Sequence, residues 1–182
     1  MAHARAETPD AINVACFLEW PTANRVAKEK GWYEEALGTR VDWRAFDTGT
    51  VLSAAMASGD VRIACGQGLV PFTVAVSQGL PIEAVGIAAS HAENDNCVVR
   101  EGAGVTEADA AGFAGKPIAV PFGTDSHFKL LRMLDPLGVD PNAARLIDMA
   151  PADGYAALAR GDVVMACGWG GALKRRRRRA RS

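Results

Sequence analysis

Apolar and polar positions along the chain alternate between two periods. Short apolar runs with β-forming residues lie at Ile12–Leu18, Arg40–Phe46, Val61–Cys65, Pro81–Ala89, Asn96–Arg100, Pro117–Pro121, Arg145–Met149 and Val163–Cys167. Each has the length of a strand. Between them the pattern turns helical: Thr22–Leu37, Thr50–Ala57, Pro71–Ser77 closed by Gly79, Asp125–Leu134 ended before Pro136, and Pro151–Arg160. Thr106-Glu-Ala-Asp109 has the spacing of a capping box and predicts one more short helix. Strands that alternate with helices predict an α/β fold with mixed, mostly parallel sheets built from right-handed crossovers.

One polar stretch, Ser90-His-Ala-Glu-Asn-Asp-Asn96, breaks this rhythm. It predicts a boundary between a first lobe over 11–89 and a second over 90–173. A loose echo supports two similar halves. Ser58-Gly-Asp-Val61 and Arg160-Gly-Asp-Val163 each read as helix end, glycine cap and strand start. Residues 1–10 are small and polar. Ala2, Ala4 and Ala6 have the spacing found at the end of a secretory leader, although the apolar core of a leader is missing. The segment reads either as a leader remnant or as a disordered start.

Composition changes this picture in two places. The chain has 182 residues, 49% of them hydrophobic, and a formal net charge of −1. Seven of its 20 basic residues crowd into Lys174–Ser182, so the remaining body carries 13 basic against 21 acidic residues. An acidic body excludes nucleic acid as the expected partner, because phosphate backbones need a basic face. No apolar run approaches the ~20 residues that span a bilayer, so direct membrane insertion is not expected. The four cysteines, Cys16, Cys65, Cys97 and Cys167, form no CxxC pair. Each lies in or at the end of an apolar run, and the reading taken is of buried free thiols acting as small hydrophobes rather than a disulfide.

Ligands of open parallel sheets sit beyond the carboxyl ends of the strands. The residues there are Glu19-Trp20-Pro21-Thr22, Asp47-Thr48-Gly49-Thr50, Gly66-Gln67-Gly68, Gly123-Thr124-Asp125-Ser126-His127 and Gly168-Trp169-Gly170-Gly171. They are rich in glycine, hydroxyls and tryptophan. Gly123–His127 leads straight into an apolar helix, where unpaired N–H groups and a partial positive charge would cradle a sulfonate, carboxylate or phosphate. The plain alternative is N-capping by Thr124 or Asp125. Gly66-Gln67-Gly68 is a second helix start of this kind, or else a tight turn. It is no dinucleotide fingerprint, since the third glycine is missing. Asp47-Thr48-Gly49 matches an aspartic-protease triplet in letters only and reads as a helix cap. Trp20 and Trp169 could wall a small-ligand pocket and offer π-faces to an ammonium group. Trp32 and Trp43 are expected to pack. Glu19 or Asp47 could pair with an amine. His127 could donate to an anion or be a satisfied first-turn histidine.

Several motifs together carry a resemblance. They are Phe17-Leu-Glu-Trp-Pro21, Asp47-Thr-Gly49 with Ala54-Ala-Met-Ala-Ser-Gly-Asp-Val61, and Gly66-Gln-Gly-Leu-Val-Pro71. With them go Glu93-Asn-Asp-Asn-Cys-Val-Val-Arg100, Met149-Ala-Pro-Ala-Asp-Gly154 and Ala166-Cys-Gly-Trp-Gly-Gly-Ala-Leu173. Over about residues 10–173 the chain resembles the taurine-type (nitrate/sulfonate/taurine) substrate-binding proteins of ABC importers. The resemblance implies a type II periplasmic-binding-protein-like fold of two α/β lobes, a periplasmic location, and a membrane permease as partner. It implies taurine or a related alkanesulfonate as ligand and no cofactor. By position, Gly66–Gly68 and Thr124–His127 would meet the sulfonate. Trp169 with Glu19 or Asp47 would face the amine. The family pattern stops at Leu173, so Lys174–Ser182 reads as a truncated or frame-shifted end, with low stability and weak ligand closure expected. Two other readings remain: an enzyme on the same fold, as in thiamin-precursor synthesis, and an effector-sensing domain. No Cys–His pair or paired carboxylates converge on one motif to favour the enzyme, and no DNA-binding segment accompanies the sensor.

Overall fold

A computed structural model of the chain describes residues 9–17, 20, 22–92, 95–105, 110–171 and 173. The leader-like start, Glu19, Pro21, the Thr106–Asp109 capping box and the basic tail lie outside the described residues.

The first sheet holds β1 (Ala11–Phe17), β2 (Arg40–Phe46) and β3 (Ile63–Ala64) in the order β2-β1-β3. All pairing is parallel, with Ala11 opposite Arg40 and Val14 opposite both Trp43 and Ile63. Alternation along β1 decides its faces. Ala15 and Phe17 join Leu52 and Val61 in one core cluster, with Ala64 packed against it. Val14 and Cys16 turn to the other face.

The helical stretch predicted as one element over Thr22–Leu37 is two, α1 (Ala23–Lys30) and α2 (Trp32–Leu37). Gly31 separates them at φ 68°, closing α1 with bonds from its N–H to the carbonyls of Ala27 and Lys28. A residue in that left-handed conformation ends a helix, and glycine adopts it without steric cost. Neither helix has a fully buried residue. Trp32, expected to pack, is 54% exposed. Trp43 is half-buried, with the Tyr33 ring at 5.5 Å and the Lys28 ammonium at 5.8 Å from its ring. Helices α3 (Gly49–Ala57) and α4 (Leu69–Ser77) complete this half.

The second sheet holds β4 (Asn96–Val99), β5 (Pro117–Val120), β6 (Arg145–Asp148) and β7 (Met165–Gly168) in the order β4-β7-β5-β6. Strands β6, β5 and β7 run parallel, while β4 is antiparallel to β7. Helix α5 (Asp125–Leu134) buries Leu130 and Leu134 against Ile118 and Val120 on one face. Helix α6 (Pro151–Arg160) buries Tyr155, Ala157 and Leu158 against Ala119 and Ala166 on the other. Small residues let α6 come close. A Cβ on Gly168 would stand 2.8 Å from Pro151 Cβ, and one on Gly154 would stand 3.2 Å from Ala119 Cβ.

Two expectations fail here. Pro81–Ala89 is not a strand but an irregular segment outside both sheets, with Val85 92% and Ile87 90% exposed. β-propensity alone does not make a strand; a partner edge must lie alongside, and β3 offers only two paired residues. The free-thiol reading also fails for two of the four cysteines. Cys97 and Cys167 face each other directly in the antiparallel β4–β7 register and are joined as a disulfide. Their 70-residue separation hid this pairing. Cys16 and Cys65 are free thiols.

Candidate functional site

A narrow cleft opens where the two sheets meet. Phe17, at the end of β1, starts its wall. The Phe17 ring lies 6.3 Å from both Trp20 and Trp169, stacked on the first and tilted against the second. His91 meets Trp20 edge-on at 5.1 Å. Trp169 is only 6% exposed although it follows β7 in a strand-end loop. These rings give the cleft an apolar, π-rich surface.

Three helix starts reach the same cleft: Gly49 of α3, Gly68 ahead of α4, and Thr124 with Asp125 at α5. The first N–H groups of a helix have no partner within it, and they carry its positive partial charge. Thr48 caps α3, its hydroxyl accepting the Val51 N–H. Thr124 caps α5, accepting the His127 N–H while donating to the Pro121 carbonyl at 2.6 Å. Capping at Thr124 therefore coexists with its place in the cleft wall.

The start of α4 already holds an anion. The Asp125 Oδ1 accepts the Val70 N–H at 3.0 Å, so a side chain from α5 occupies the turn before α4. Glycine at 68 is required for this approach, since a Cβ there would collide with the Asp125 carboxylate. The contact ties the first half of the chain to the second.

Asp95, just before β4, is a cleft residue that the sequence reading passed over. It is 9% exposed. Its Oδ1 accepts the Ser126 hydroxyl at 2.7 Å, and its backbone carbonyl accepts the Lys129 ammonium at 2.6 Å. His91 Nδ1 lies 4.0 Å from Oδ2. Burial pushes the Asp95 carboxyl up from its ordinary 3.8, the Ser126 hydrogen bond pulls it down, and the Asp125 charge pushes it up again. The signal for Asp95 is the polar break at 90–96, which marks a boundary and, through Glu93–Arg100, part of the family resemblance, but by itself points to no site.

Other residues singled out from the sequence serve the scaffold. Ser126, 1% exposed, is spent on Asp95. Gln67 donates to the Ser53 hydroxyl and, at 3.5 Å, to the Gly49 carbonyl, bracing the α3 start. His127 stacks on Phe122 at 4.8 Å, and its Nδ1 accepts the Gly123 N–H at 3.2 Å. Burial lowers its pKa, against the opposing pull of Asp148, so at neutral pH the ring is the neutral Nε2–H tautomer. Asp47 is exposed and does not line the cleft. Among the described residues no group of three or more His, Cys, Asp or Glu could hold a metal ion, and no helix is long and apolar enough to cross a membrane.

Comparison with known proteins places this geometry. Residues 22–178 match the family described as NMT1/THI5 like. The chain is 35% identical over 149 residues to the taurine-binding periplasmic protein of Escherichia coli (strain K12), covering 82% of this chain and 45% of that protein. It superposes on the alkanesulfonate-binding protein SsuA from Xanthomonas axonopodis pv. citri, solved bound to MOPS. There the TM-score is 0.75 and the identity 24%, over 90% of this chain and 56% of that one. The periplasmic aliphatic sulphonate binding protein SsuA from Escherichia coli gives a TM-score of 0.69 at 22% identity, over 91% and 56%. The chain thus spans about half the length of the relatives it matches. These relatives are substrate-binding proteins, and the expected α/β periplasmic-binding fold with parallel sheets is the one found. By its sequence over 22–178, the chain belongs to the NMT1/THI5-like family.

Proposed function

We propose that the cleft captures a small zwitterionic sulfonate of the taurine type, and that the protein delivers it in the periplasm to the membrane permease of an ABC importer. One observation carries this reading: opposite chemistries share one cleft. The starts of α3 and α5 suit an anionic head. Asp95 with the π-faces of Trp20 and Trp169 suits an ammonium group a few atoms away. The 35% identity to a taurine-binding protein supports the same ligand class.

Asp95→Asn tests the ammonium half of the reading. It keeps the shape and an acceptor for Ser126 but removes the charge. Taurine affinity is expected to fall about tenfold, which corresponds to ~1.4 kcal/mol, while ethanesulfonate, without an amine, is unaffected. An equal loss for both ligands would mean that Asp95 only supports the fold. Acid should act in the same direction. Protonated Asp95 cannot attract an ammonium group, so the preference for taurine fades as pH falls through the raised pKa. The sign for stability is opposite. A raised carboxyl pKa means that the folded state holds the proton more tightly, so this contribution is complete below 3.8 and is lost as pH rises through the raised value.

A further inference from the structure

We propose that Cys16 and Cys65 are a redox-active dithiol that closes to a second disulfide, between the ends of β1 and β3. The register carries this inference. Val14 pairs with Ile63 and Ala15 with Ala64, so Cys16 and Cys65 are the next in-register pair. The Cys65 N–H donates to the Ala15 carbonyl at 2.9 Å and continues the ladder to this position. Ala15 and Ala64 face one core cluster, which turns both thiols to the opposite face of the sheet. There both line one shallow pocket with Trp43, Arg25 and Lys28. Neighbouring strands run about 4.8 Å apart, inside the ~4.4–6.8 Å Cα separation that a disulfide accepts.

Cys16 is buried and Cys65 is half-buried, so an oxidant meets Cys65 first. The reaction needs a disulfide as electron acceptor, and oxidised glutathione serves. The Cys65 thiolate attacks one glutathione sulfur, forming a mixed disulfide and releasing a glutathione thiolate. The Cys16 thiolate then attacks the Cys65 sulfur, forming the intramolecular bond and releasing the second glutathione. Two cysteine thiols lose two protons and two electrons, and one glutathione disulfide becomes two thiols. Burial raises the Cys65 thiol pKa and the nearby Cys16 raises it further, which slows the first attack without preventing it. The bond would tie Phe17 and Gly66, the residues following each cysteine, into one unit. A Cβ on Gly66 would already lie 3.8 Å from Phe17 and 3.7 Å from Trp20, so the cross-link would stiffen the aromatic wall of the cleft.

The test uses the full chain, equilibrated natively with oxidised glutathione and read by intact mass and peptide mapping. The expected product has lost two hydrogens and yields a Cys16–Cys65 cross-linked peptide, also in the Cys97→Ala/Cys167→Ala variant. Cys16→Ser should instead stop at one bound glutathione on Cys65. Cross-linking of Cys16 or Cys65 to Cys97 or Cys167, uptake of two separate glutathiones, or both thiols still reacting with maleimide after denaturation would each overturn the proposal.

Discussion

Asp125→Asn should tighten the binding of a small sulfonate by about tenfold. The Asp125 carboxylate takes the Val70 N–H and sits in the turn before α4. An anion entering the cleft meets a like charge there and finds one of the three helix starts occupied. A carboxylate at a helix N-terminus is worth about 0.3–1 kcal/mol on the surface and up to ~2 kcal/mol when partly buried. Its repulsion of an anion about 8 Å away is of similar size, ~2 kcal/mol, at an effective dielectric of about 20. Removing the charge while keeping the amide oxygen relieves both, and ~1–2 kcal/mol corresponds to about 5–30-fold in affinity. The tie between the halves should loosen at the same time, so the Val70 amide should exchange with solvent faster in the variant. Titration of both proteins with taurine decides the matter. Unchanged or weaker binding by Asp125→Asn would show that the carboxylate is no competitor of the ligand.

Cys97→Ala/Cys167→Ala should produce the largest loss of stability. The bond closes a loop of 70 residues that contains β5, α5, β6 and α6. On chain-entropy grounds such a cross-link stabilises the fold by about 4 kcal/mol. For a chain of this size each kcal/mol moves the melting temperature by about 2–4 °C, so a fall near 10 °C is expected. Reductant should lower the melting temperature of the wild type by a similar amount and leave the variant unmoved. A variant that melts with the wild type would mean that the β4–β7 pairing holds without the bond.

The fold was legible wherever local chemistry closes an element. Helix α5 begins after Thr124 because its hydroxyl caps the first turn. Helix α6 begins at Pro151, which lacks the N–H that a first turn leaves unpaired, and ends at Gly161 in the left-handed conformation. Both helices were readable to the residue. Features that depend on distant partners were not. Pro81–Ala89 has the composition of a strand, but its pairing is decided by what lies beside it. Cys97 and Cys167 become neighbours only because β4 runs against β7, and no local pattern reveals that direction. Gly31 illustrates a third case, a single residue inside an otherwise continuous helical period, whose φ ends the helix.

The candidate cleft was legible in the same uneven way. Trp20, Gly68, Thr124, Asp125 and Trp169 all stand at strand ends, and the cleft brings them together. Thr48 and Gln67 stand at strand ends too, but they brace α3, Thr48 as its cap and Gln67 through the Gly49 carbonyl. Asp95 and His91 come from the polar stretch after Pro81–Ala89, which reads as a lobe boundary rather than as a ligand loop, and the structure has no strand there. The turning of Asp125 toward α4 depends on a glycine 57 positions away in the chain, at residue 68.

Isothermal titration of the full chain with taurine, with ethanesulfonate as the control lacking an amine, tests the central claim most directly. The account predicts saturable one-to-one binding of taurine, accompanied by a change in tryptophan fluorescence and clearly tighter than that of ethanesulfonate. No heat from taurine, or equal affinity for the two ligands, would contradict it.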